Sequence, residues 1–308
     1  MKNVVISGAT GAVGMALIDE MISHETKVLI LTHKDSKRNK WIPKHPLVST
    51  INCSLDEMRN LFSEGCEQEY DAFYHLAWAG TTGTDRNDMY LQNQNVKYAL
   101  DAVELAHRMH CKVFIGTGSQ AEYGRYEGKL SETTPAFPEN GYGIAKLCAG
   151  QMTREKAHQL GMRQIWARIL SVYGPYDGKQ SMIMSCIDKM LKGERASFTK
   201  GEQMWDYLYS KDAARALYLL GHRELDGVYC LGSGKARPLK DYIIEIKNQI
   251  NPDLEIGLGD IPYAERQVMC LCADITKLNK DTGFQPEFDF EKGIEKIICF
   301  VKETVAVY

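Results

Sequence analysis

The sequence predicts an α/β fold in which helices cover both faces of a doubly wound parallel sheet, joined to a smaller C-terminal α/β domain. Short apolar segments alternate with helical patterns over the first half of the chain, as in parallel strands linked by crossover helices. Beyond Gly174-Pro175 this alternation becomes less regular, and 308 residues allow one large domain or two smaller ones. We therefore predict a sheet domain at 1–172, rejoined by about 208–233, with most of a second domain at 173–308.

Six strands are predicted because these segments are short and apolar and stand between helical patterns. They lie at residues 3–7, 27–32, 48–52, 72–76, 113–117 and 165–170. Helices are predicted where apolar residues recur at helical spacing, at 15–22, 89–108, 142–160, 182–191, 239–250 and 291–303. Alternation at 204–209 and around Cys270-x-Cys272 indicates extended segments, the latter a strand rather than a metal site.

Composition and charge exclude several classes of protein. The net charge is −3, from 37 basic and 40 acidic side chains, so no global field attracts nucleic acid or an anionic membrane. No apolar segment approaches the length of a membrane span. The eight His and nine Cys show no metal-ligand spacing, and an odd cysteine count without an apolar leader indicates a reduced, cytoplasmic compartment. We therefore expect a soluble enzyme without a metal, nucleic-acid or membrane partner.

A glycine-rich turn follows the first predicted strand. Gly8, Gly11 and Gly14 are spaced Gly-x-x-Gly-x-x-Gly before the first predicted helix. Such glycines let the backbone approach a pyrophosphate, to which the helix start offers unpaired N–H groups and the positive end of its dipole. A turn that simply needs small residues is the alternative, but the order strand, turn, helix, strand favours a dinucleotide.

Tyr142 and Lys146 form the candidate chemical site. Four residues apart on a predicted helix, they share one face, so the ammonium can favour the phenolate and bring the tyrosine toward a useful pKa. Tyr207 and Lys211 have the same spacing by chance, but only the first pair has Ser119 upstream, just past the fifth strand, where open α/β sheets bind ligands. Ser119 is therefore placed to meet a substrate oxygen, although a loop-capping role is the alternative for this hydroxyl alone.

The order of these motifs resembles the extended short-chain dehydrogenase/reductase family, in particular its nucleotide-sugar epimerase/dehydratase branch. Beyond the glycine turn, the resemblance rests on His75-Leu76-Ala77, Asn95-Val96, Ser119 before Tyr123-Gly124, Tyr142-Gly-Ile-Ala-Lys146, Val172-Tyr173-Gly174-Pro175, Asp206-Tyr207 with Asp212, and Tyr229-Cys-Leu-Gly232-Ser-Gly234. It implies a Rossmann-type dinucleotide-binding domain. It also implies that Tyr142 exchanges a proton with a sugar hydroxyl or carbonyl, that Lys146 holds the nicotinamide ribose, and that Ser119 hydrogen-bonds the reacting oxygen.

The resemblance implies further contacts by position along these motifs. Besides Tyr142 and Lys146, the residues expected at the cofactor are Gly8, Thr10, Gly11, Ala12, Val13, Gly14, His33, Lys34, Arg38, Ser54, Leu55, Leu76, Ala77, Trp78, Asn95, Thr117 and Ile169. The residues expected at the substrate are Thr81, Ser119, Gln120, Ser171, Trp205 and Arg266.

The sequence departs from the sugar dehydratases of this family directly after Ser119. Those enzymes place Asp and then Glu in the next two positions, whereas this chain has Gln120 and Ala121. Glu122 stands one place too late and is better explained as a structural loop carboxylate. Because no acid and base are evident to eliminate water, 4,6-dehydration is not expected. Keto-sugar reduction and epimerisation need only the serine, tyrosine, lysine and nicotinamide.

Trp205 is a second departure. Many relatives carry there an arginine that grips the substrate pyrophosphate, and a tryptophan cannot form that charged fork. Either Arg266, at the place of a late substrate-contacting arginine in the family, meets the diphosphate, or the substrate lacks a standard nucleotide. A core role for Trp205 stays equally open.

The end of the second strand bears on the cofactor. NAD-using relatives usually end it with an acid that binds the ribose hydroxyls, but this strand ends Leu31-Thr32-His33-Lys34. Asp35 follows in a loop among the basic residues Lys34, Lys37 and Arg38. Such a cluster suits a 2′-phosphate, with a solvated basic loop as the alternative. NADP(H) is therefore favoured, and NAD(H) stays open.

These observations predict an NADP(H)-dependent reductase of a nucleotide-linked 4-keto or 4-keto-6-deoxy sugar, with Tyr142 as proton donor. The alternatives are a nucleotide-sugar 4-epimerase with tightly bound NAD and a non-catalytic dinucleotide-sensing protein, which would have no need of all three site residues. The resemblance also implies a homodimer packed through 89–108 and 142–160. Apolar residues on more than one face of the first of these helices would suit such packing: Ala99, Leu100, Ala102, Val103, Leu105 and Ala106.

Overall fold

A parallel sheet of seven strands forms the centre of the protein in a computed structural model, which describes residues 1–305. In chain order the strands are β1 (Asn3–Ser7), β2 (Lys27–Thr32), β3 (Val48–Asn52), β4 (Ala72–His75), β5 (Val113–Ser119), β6 (Arg163–Ile169), β7 (Val172–Tyr173), β8 (Ala196–Phe198), β9 (Met204–Trp205), β10 (Leu208–Tyr209), β11 (Gly227–Leu231), β12 (Arg237–Pro238), β13 (Ile256–Leu258) and β14 (Cys270–Leu271). The central sheet has the order β11-β6-β5-β4-β1-β2-β3. Because the strand order reverses between β1 and β4, the loops after these strands diverge and leave a crevice at their carboxyl ends.

Helices cover both faces of this sheet. They are α1 (Ala12–Ser23), α2 (Met89–Arg108), α3 (Gly141–Gln159), α4 (Met182–Leu191), α5 (Ser210–His222), α6 (Leu239–Ile250), α7 (Thr276–Thr282) and α8 (Phe290–Val305). Along β1, Val4 and Ile6 pack on the side of α1 and α5, whereas Val5 packs on the side of α2 and α3. Both faces are therefore buried, which explains why the strands are continuous apolar runs.

All six predicted strands and all six predicted helices are present, with ends that differ by a few residues. The pattern does not single out α5 or β11, which return the chain to the central layers. Residues 204–209 do not form one strand, because β9 and β10 belong to different sheets. Asp206 lies between them, buried, and accepts hydrogen bonds from the backbone N–H groups of Ser233, Gly234 and Ala273.

Residues from α4, α6 and α8 enclose a separate apolar core with Tyr173 and Phe290. The boundary at residue 172 stays a prediction. No helix within residues 1–305 is long and apolar enough to cross a membrane. The same residues hold no group of three or more side chains suited to a metal ion.

The apolar residues in the second half of α2 face mostly the interior of the chain rather than solvent. Five of the six residues expected to give α2 a second apolar face have no exposed area: Ala99, Ala102, Val103, Leu105 and Ala106. Leu100 is partly exposed. The large apolar side chains that α2 and α3 expose are different ones: Met89, Tyr90, Ile144 and Met152.

Candidate active site

The glycine-rich turn brings the start of α1 against the loop after β4. Gly8 has a φ of +74°, and a Cβ there would lie 2.4 Å from the backbone nitrogen of Ala77. A Cβ on Gly14 would lie 2.5 Å from the carbonyl oxygen of Ala9. Gly11 begins α1 without a side-chain cap, and the space at its Cβ position is open. The turn therefore fits the pyrophosphate of a dinucleotide, to which it offers backbone N–H groups. The other residues predicted in this turn are partly exposed: Thr10, Ala12 and Val13.

The residues directly after β2 are basic and exposed, and the first acid along the chain is Asp35. The carboxylate of Glu57, after β3, is also nearby: hydrogen bonds from Ser54 lower its pKa, and the charges of Lys34 and His33 add to this effect. Thr32 ends the strand, and its hydroxyl donates to the side-chain oxygen of Asn52 at the end of β3 (3.1 Å). His33 and Lys34 follow directly and are exposed. Two further residues expected at the cofactor, Ser54 and Leu55, lie just after β3 and are partly exposed.

Arg38 stands in the short 3₁₀ turn Lys37–Trp41 that follows and is half-buried. Its guanidinium lies 4.9 Å from the centre of the Trp41 ring and donates a hydrogen bond to the carbonyl of Tyr176. Burial lowers its pKa, and its Nε has no hydrogen-bond partner among the described residues. The predicted basic cluster is thus divided into an exposed Lys34 and a half-buried Arg38 with an unsatisfied donor.

Amide side chains of α2 hold the loop after β4. The side-chain oxygen of Asn95 accepts from the N–H of Ala79 (3.0 Å), and its nitrogen donates to the carbonyl of the same residue (2.9 Å). Gln92 accepts a hydrogen bond from the indole of Trp78 (2.9 Å). These bonds show that Asn95 positions the loop that contains Leu76, Ala77 and Trp78, and its contact with the cofactor stays a prediction.

Tyr142 and Lys146 converge with the end of β5. Asn140 caps the start of α3, because its side chain accepts a hydrogen bond from the N–H of Gly143 (2.8 Å). Tyr142 therefore lies in the first turn of this helix. Lys146 is buried one turn later and donates from Nζ to the carbonyl of Thr117 (2.7 Å). Its Nζ lies 5.8 Å from the centre of the Tyr142 ring.

Ser119 completes the predicted trio. It is the last residue of β5 rather than a residue past it, and its hydroxyl lies close enough to Tyr142 to affect that phenol's pKa. The hydroxyl also accepts a hydrogen bond from the N–H of Ala121 (3.2 Å), so the capping role is real as well. The sequence therefore identified side chains that the fold brings together.

Burial dominates the acid–base state of the site. It raises the pKa of Tyr142, against the opposing effects of the Ser119 hydroxyl and the positive charge of Arg86. Burial also lowers the pKa of Lys146 to about 7, against the opposing negative charge of Glu122. Tyr142 therefore holds its proton at neutral pH, as a proton donor must.

Glu122 is a structural carboxylate, as its position in the sequence indicated. It is completely buried and accepts hydrogen bonds from the N–H of Ser119 (2.8 Å), the indole of Trp166 (3.0 Å) and Nε of Arg168 (2.7 Å). A Cβ on Gly118 would lie 2.4 Å from its oxygen, so only glycine fits beside it. All these partners belong to the sheet and the turn after β5, which leaves the carboxylate no role in transferring protons to a substrate.

The residues expected at the substrate have different surroundings. The indole of Trp205 donates to the hydroxyl of Ser171 (3.1 Å), while its ring packs against the apolar clusters, so Trp205 has both a core contact and a contact with a predicted site residue. Arg266 is exposed, and its charge adds to the effect of Arg125, whose hydrogen bond is the main cause of the lowered pKa of Glu139. Two further residues expected at the substrate, Thr81 and Gln120, are exposed and partly exposed, and Ile169, which is expected at the cofactor, is partly exposed.

The surroundings of Tyr207 exclude Tyr207 and Lys211 as a second chemical site. The ring of Tyr207 packs edge-on against Tyr242 (5.0 Å between centres) and beside Phe290 in the C-terminal core. Burial raises its pKa well above the ordinary range. Tyr207 therefore has a packing role.

An open pyrophosphate cradle and a serine–tyrosine–lysine trio on a doubly wound sheet define a dinucleotide-binding enzyme of the extended short-chain dehydrogenase/reductase class. The sequence profile of the NAD-dependent epimerase/dehydratase family matches residues 4–232. The chain belongs to that family.

Individual relatives are similar over nearly the whole chain. A CDP-abequose synthase from Salmonella typhimurium is 26% identical over 96% of this chain and 97% of its own length. Solved structures share the fold. UDP-N-acetylglucosamine 4-epimerase from Methanobrevibacter ruminantium, in complex with UDP-N-acetylmuramic acid, matches with a TM-score of 0.88 and 22% identity over 98% of this chain and 99% of that one. UDP-glucuronic acid 4-epimerase from Bacillus cereus, in complex with NAD, matches with a TM-score of 0.84 and 18% identity over 98% of this chain and 99% of that one.

Proposed function

We propose that the protein is an NADP(H)-dependent reductase of a nucleotide-linked 4-keto sugar, with a 4-keto-6-deoxy sugar as the favoured substrate. The observation that carries the proposal is the buried position of Tyr142, which raises its pKa, together with a carboxylate, Glu122, whose oxygens already accept hydrogen bonds from Arg168 and Trp166. A reductase needs the proton donor and no further acid or base. Dehydration would need the acid–base pair that Gln120 and Ala121 replace.

Ser119, Tyr142 and Lys146 have different roles in the proposed reduction. Reduction adds a hydride to the keto carbon and a proton to its oxygen, and the nicotinamide supplies the hydride when it is bound. Ser119 hydrogen-bonds the keto oxygen, and Tyr142 donates its phenolic proton to that oxygen as negative charge develops. Lys146 holds the nicotinamide ribose and stabilises the phenolate that is left, which then takes a proton from solvent.

The proposal of NADP(H) rests on the tip of β2. The residues directly after the strand, His33 and Lys34, include no acid to bind ribose hydroxyls, and the exposed Lys34 is available to a 2′-phosphate. Arg38 has a buried Nε without a partner among the described residues, and a phosphate oxygen would supply the missing acceptor.

A 4-epimerase that retains NAD is the second candidate. The two solved structures described above are 4-epimerases, and the one from Bacillus cereus was determined with NAD. An epimerase also relies on serine, tyrosine and lysine, but it returns the hydride to the same sugar. The two functions therefore differ in whether the cofactor is consumed.

Two measurements test the proposal. Mass spectrometry of the purified protein should find no stoichiometric, tightly held NAD. Mixing the protein with NADPH and a panel of nucleotide-linked 4-keto-6-deoxyhexoses should lower the nicotinamide absorbance in proportion to the alcohol formed with at least one member. Interconversion of UDP-hexoses at C4 with retained NAD and no loss of NADPH would establish the epimerase instead.

We also propose a homodimer through α2 and α3. Tyr90 is 90% exposed, Met89 56%, Ile144 51% and Met152 45%, so these two helices offer a shared apolar surface to a second copy. Light scattering at micromolar concentration should give the mass of a dimer, and introducing charge with Ile144→Asp should give a monomer. A wild-type protein that is monomeric at this concentration would contradict the proposal.

A further inference from the structure

The loop after β4 places a second cation against the proton donor. A 3₁₀ turn at Gly83–Asn87 lies beside the start of α3, and Cζ of its Arg86 is 4.2 Å from the centre of the Tyr142 ring. This distance is shorter than the 5.8 Å from Nζ of Lys146 to the same ring. No motif in the sequence indicates Arg86.

Arg86 is anchored and is not a freely moving surface side chain. Its Nη1 donates to the carbonyl of Thr81 (3.0 Å). The next residue, Asn87, accepts from the N–H of Gly141 (3.0 Å), which fastens the turn to the start of α3. A Cβ on Gly141 would lie 3.0 Å from the carbonyl oxygen of Arg86, so the close approach depends on glycine at this position.

Trp78, from the same loop, completes the frame around the tyrosine. Its ring meets Tyr142 edge-on, with 6.2 Å between centres and 83° between planes. The face of the same indole lies 3.8 Å from Nζ of Lys146. The loop thus fixes the ring of Tyr142 by one edge through Trp78 and covers its face with Arg86.

The charged and titratable groups that face Tyr142 come from three elements. Arg86 approaches from the loop after β4, Lys146 from α3 and Glu122 from the turn after β5. The charge of Glu122 is offset by its ion pair with Arg168. A cation over the face of a phenol favours its ionised form, and the effect is strong where water is excluded.

We propose that Arg86 is a positioning residue for Tyr142 that orients the ring and stabilises the phenolate left after proton donation. In that step the phenolic O–H bond breaks, an O–H bond forms on the sugar, and the electron pair stays on the tyrosine oxygen. Arg86 exchanges no proton and touches no reacting atom. The role in turnover rests on the proposed function, whereas the effect on Tyr142 ionisation can be measured without any substrate.

The test compares Arg86→Gln and Arg86→Lys with Arg154→Gln, an exposed arginine on the same helix as Tyr142. Each protein is labelled with 3-fluorotyrosine, whose phenol is more acidic than that of tyrosine, and the ¹⁹F resonance lost in Tyr142→Phe is followed against pH. Arg86→Gln should raise the pH of ionisation of Tyr142 by about 1 unit, Arg86→Lys should recover at least half of that shift, and Arg154→Gln should leave it unchanged. An unchanged ionisation in Arg86→Gln would overturn the proposal, as would an equal shift in Arg154→Gln.

Steady-state kinetics distinguish a failure of this inference from a failure of the proposed function. With a keto-sugar substrate, Arg86→Gln should lower kcat about tenfold, which corresponds to one unit of phenolate stabilisation, and should change KM less than twofold. A loss of stability in urea with no shift in the pH profile would show a merely structural role and reject the proposal. If the ionisation of Tyr142 shifts but no keto sugar is reduced by the wild type, the positioning role stands and the proposed reaction fails.

Discussion

Replacing Glu122 with glutamine should destabilise the protein through a defined set of lost contacts. The buried carboxylate accepts from Ser119, Trp166 and Arg168 at 2.8, 3.0 and 2.7 Å. Glutamine keeps one acceptor oxygen, but it turns an NH₂ group toward another donor and leaves the guanidinium of Arg168 without a counter-charge. The substitution therefore breaks a buried ion pair without changing the size of the side chain.

The magnitude follows from that geometry. Removing one partner of a buried ion pair costs about 3–5 kcal/mol, and an unsatisfied buried N–H costs about 1–3 kcal/mol. These contributions overlap, so we expect the free energy of unfolding to fall by about 3 kcal/mol. A protein of ordinary stability, about 5–15 kcal/mol, would still fold.

Urea unfolding followed by tryptophan fluorescence measures this loss, since Trp166 itself contacts Glu122. The midpoint should fall with little change in slope. Glu139→Gln is the matched control, because Glu139 pairs with Arg125 at the surface, where solvent screens the charges, so its loss should move the urea midpoint far less. If Glu122→Gln unfolds at the wild-type urea concentration but has no activity, the carboxylate takes part in the chemistry and the structural role is wrong.

Three further perturbations test the site. Tyr142→Phe should lower kcat about 10²–10⁴-fold with little change in stability or cofactor affinity. The control, Tyr207→Phe in the C-terminal core, should affect stability or substrate affinity instead. Near-normal kcat in Tyr142→Phe would remove Tyr142 from the mechanism. Replacing both Lys34 and Arg38 with alanine should weaken NADPH far more than NADH in a binding titration, because only NADPH loses charge-assisted hydrogen bonds; equal losses would refute the assignment. Burial lowers the pKa of Lys146 from 10.5 to about 7, so the unfolded chain binds more protons than the folded protein between these pH values, and stability rises with pH. Relative to Lys146→Met, the wild type should gain about 3 kcal/mol of unfolding free energy between pH 6.5 and 9.5. A difference that is constant with pH would show that folding does not lower the pKa of Lys146.

The parts of the fold and site that the sequence predicted depend on local pattern. Gly8 and Gly14 have no room for a Cβ, and such positions recur at fixed spacing after a strand. Tyr142 and Lys146 share a helix face, so their separation in sequence already sets their separation in space. Local rules of this kind also located the strands and most of the helices.

The parts that the sequence could not predict depend on contacts between distant segments. Glu122 and Arg168 are 46 residues apart and meet only because β5 and β6 pair in one register. Arg86 stands in an exposed turn without periodicity, and its contact with Tyr142 depends on how that turn packs against α3. Alternation at 204–209 predicts an extended segment but does not reveal that buried Asp206 lies between two short strands of different sheets.

Transfer of deuterium tests the proposed reaction most directly. NADPH deuterated at C4 of the nicotinamide, tested as each of its two stereoisomers, is incubated with the protein and a nucleotide-linked 4-keto-6-deoxyhexose, and the sugar product is analysed by mass spectrometry and NMR. With one stereoisomer, the proposed function predicts one deuterium at C4 of the product sugar for each NADPH consumed, and Tyr142→Phe should show almost none. Interconversion of 4-epimers with no deuterium in the sugar and no consumption of NADPH would contradict the reductase and identify the protein as an epimerase.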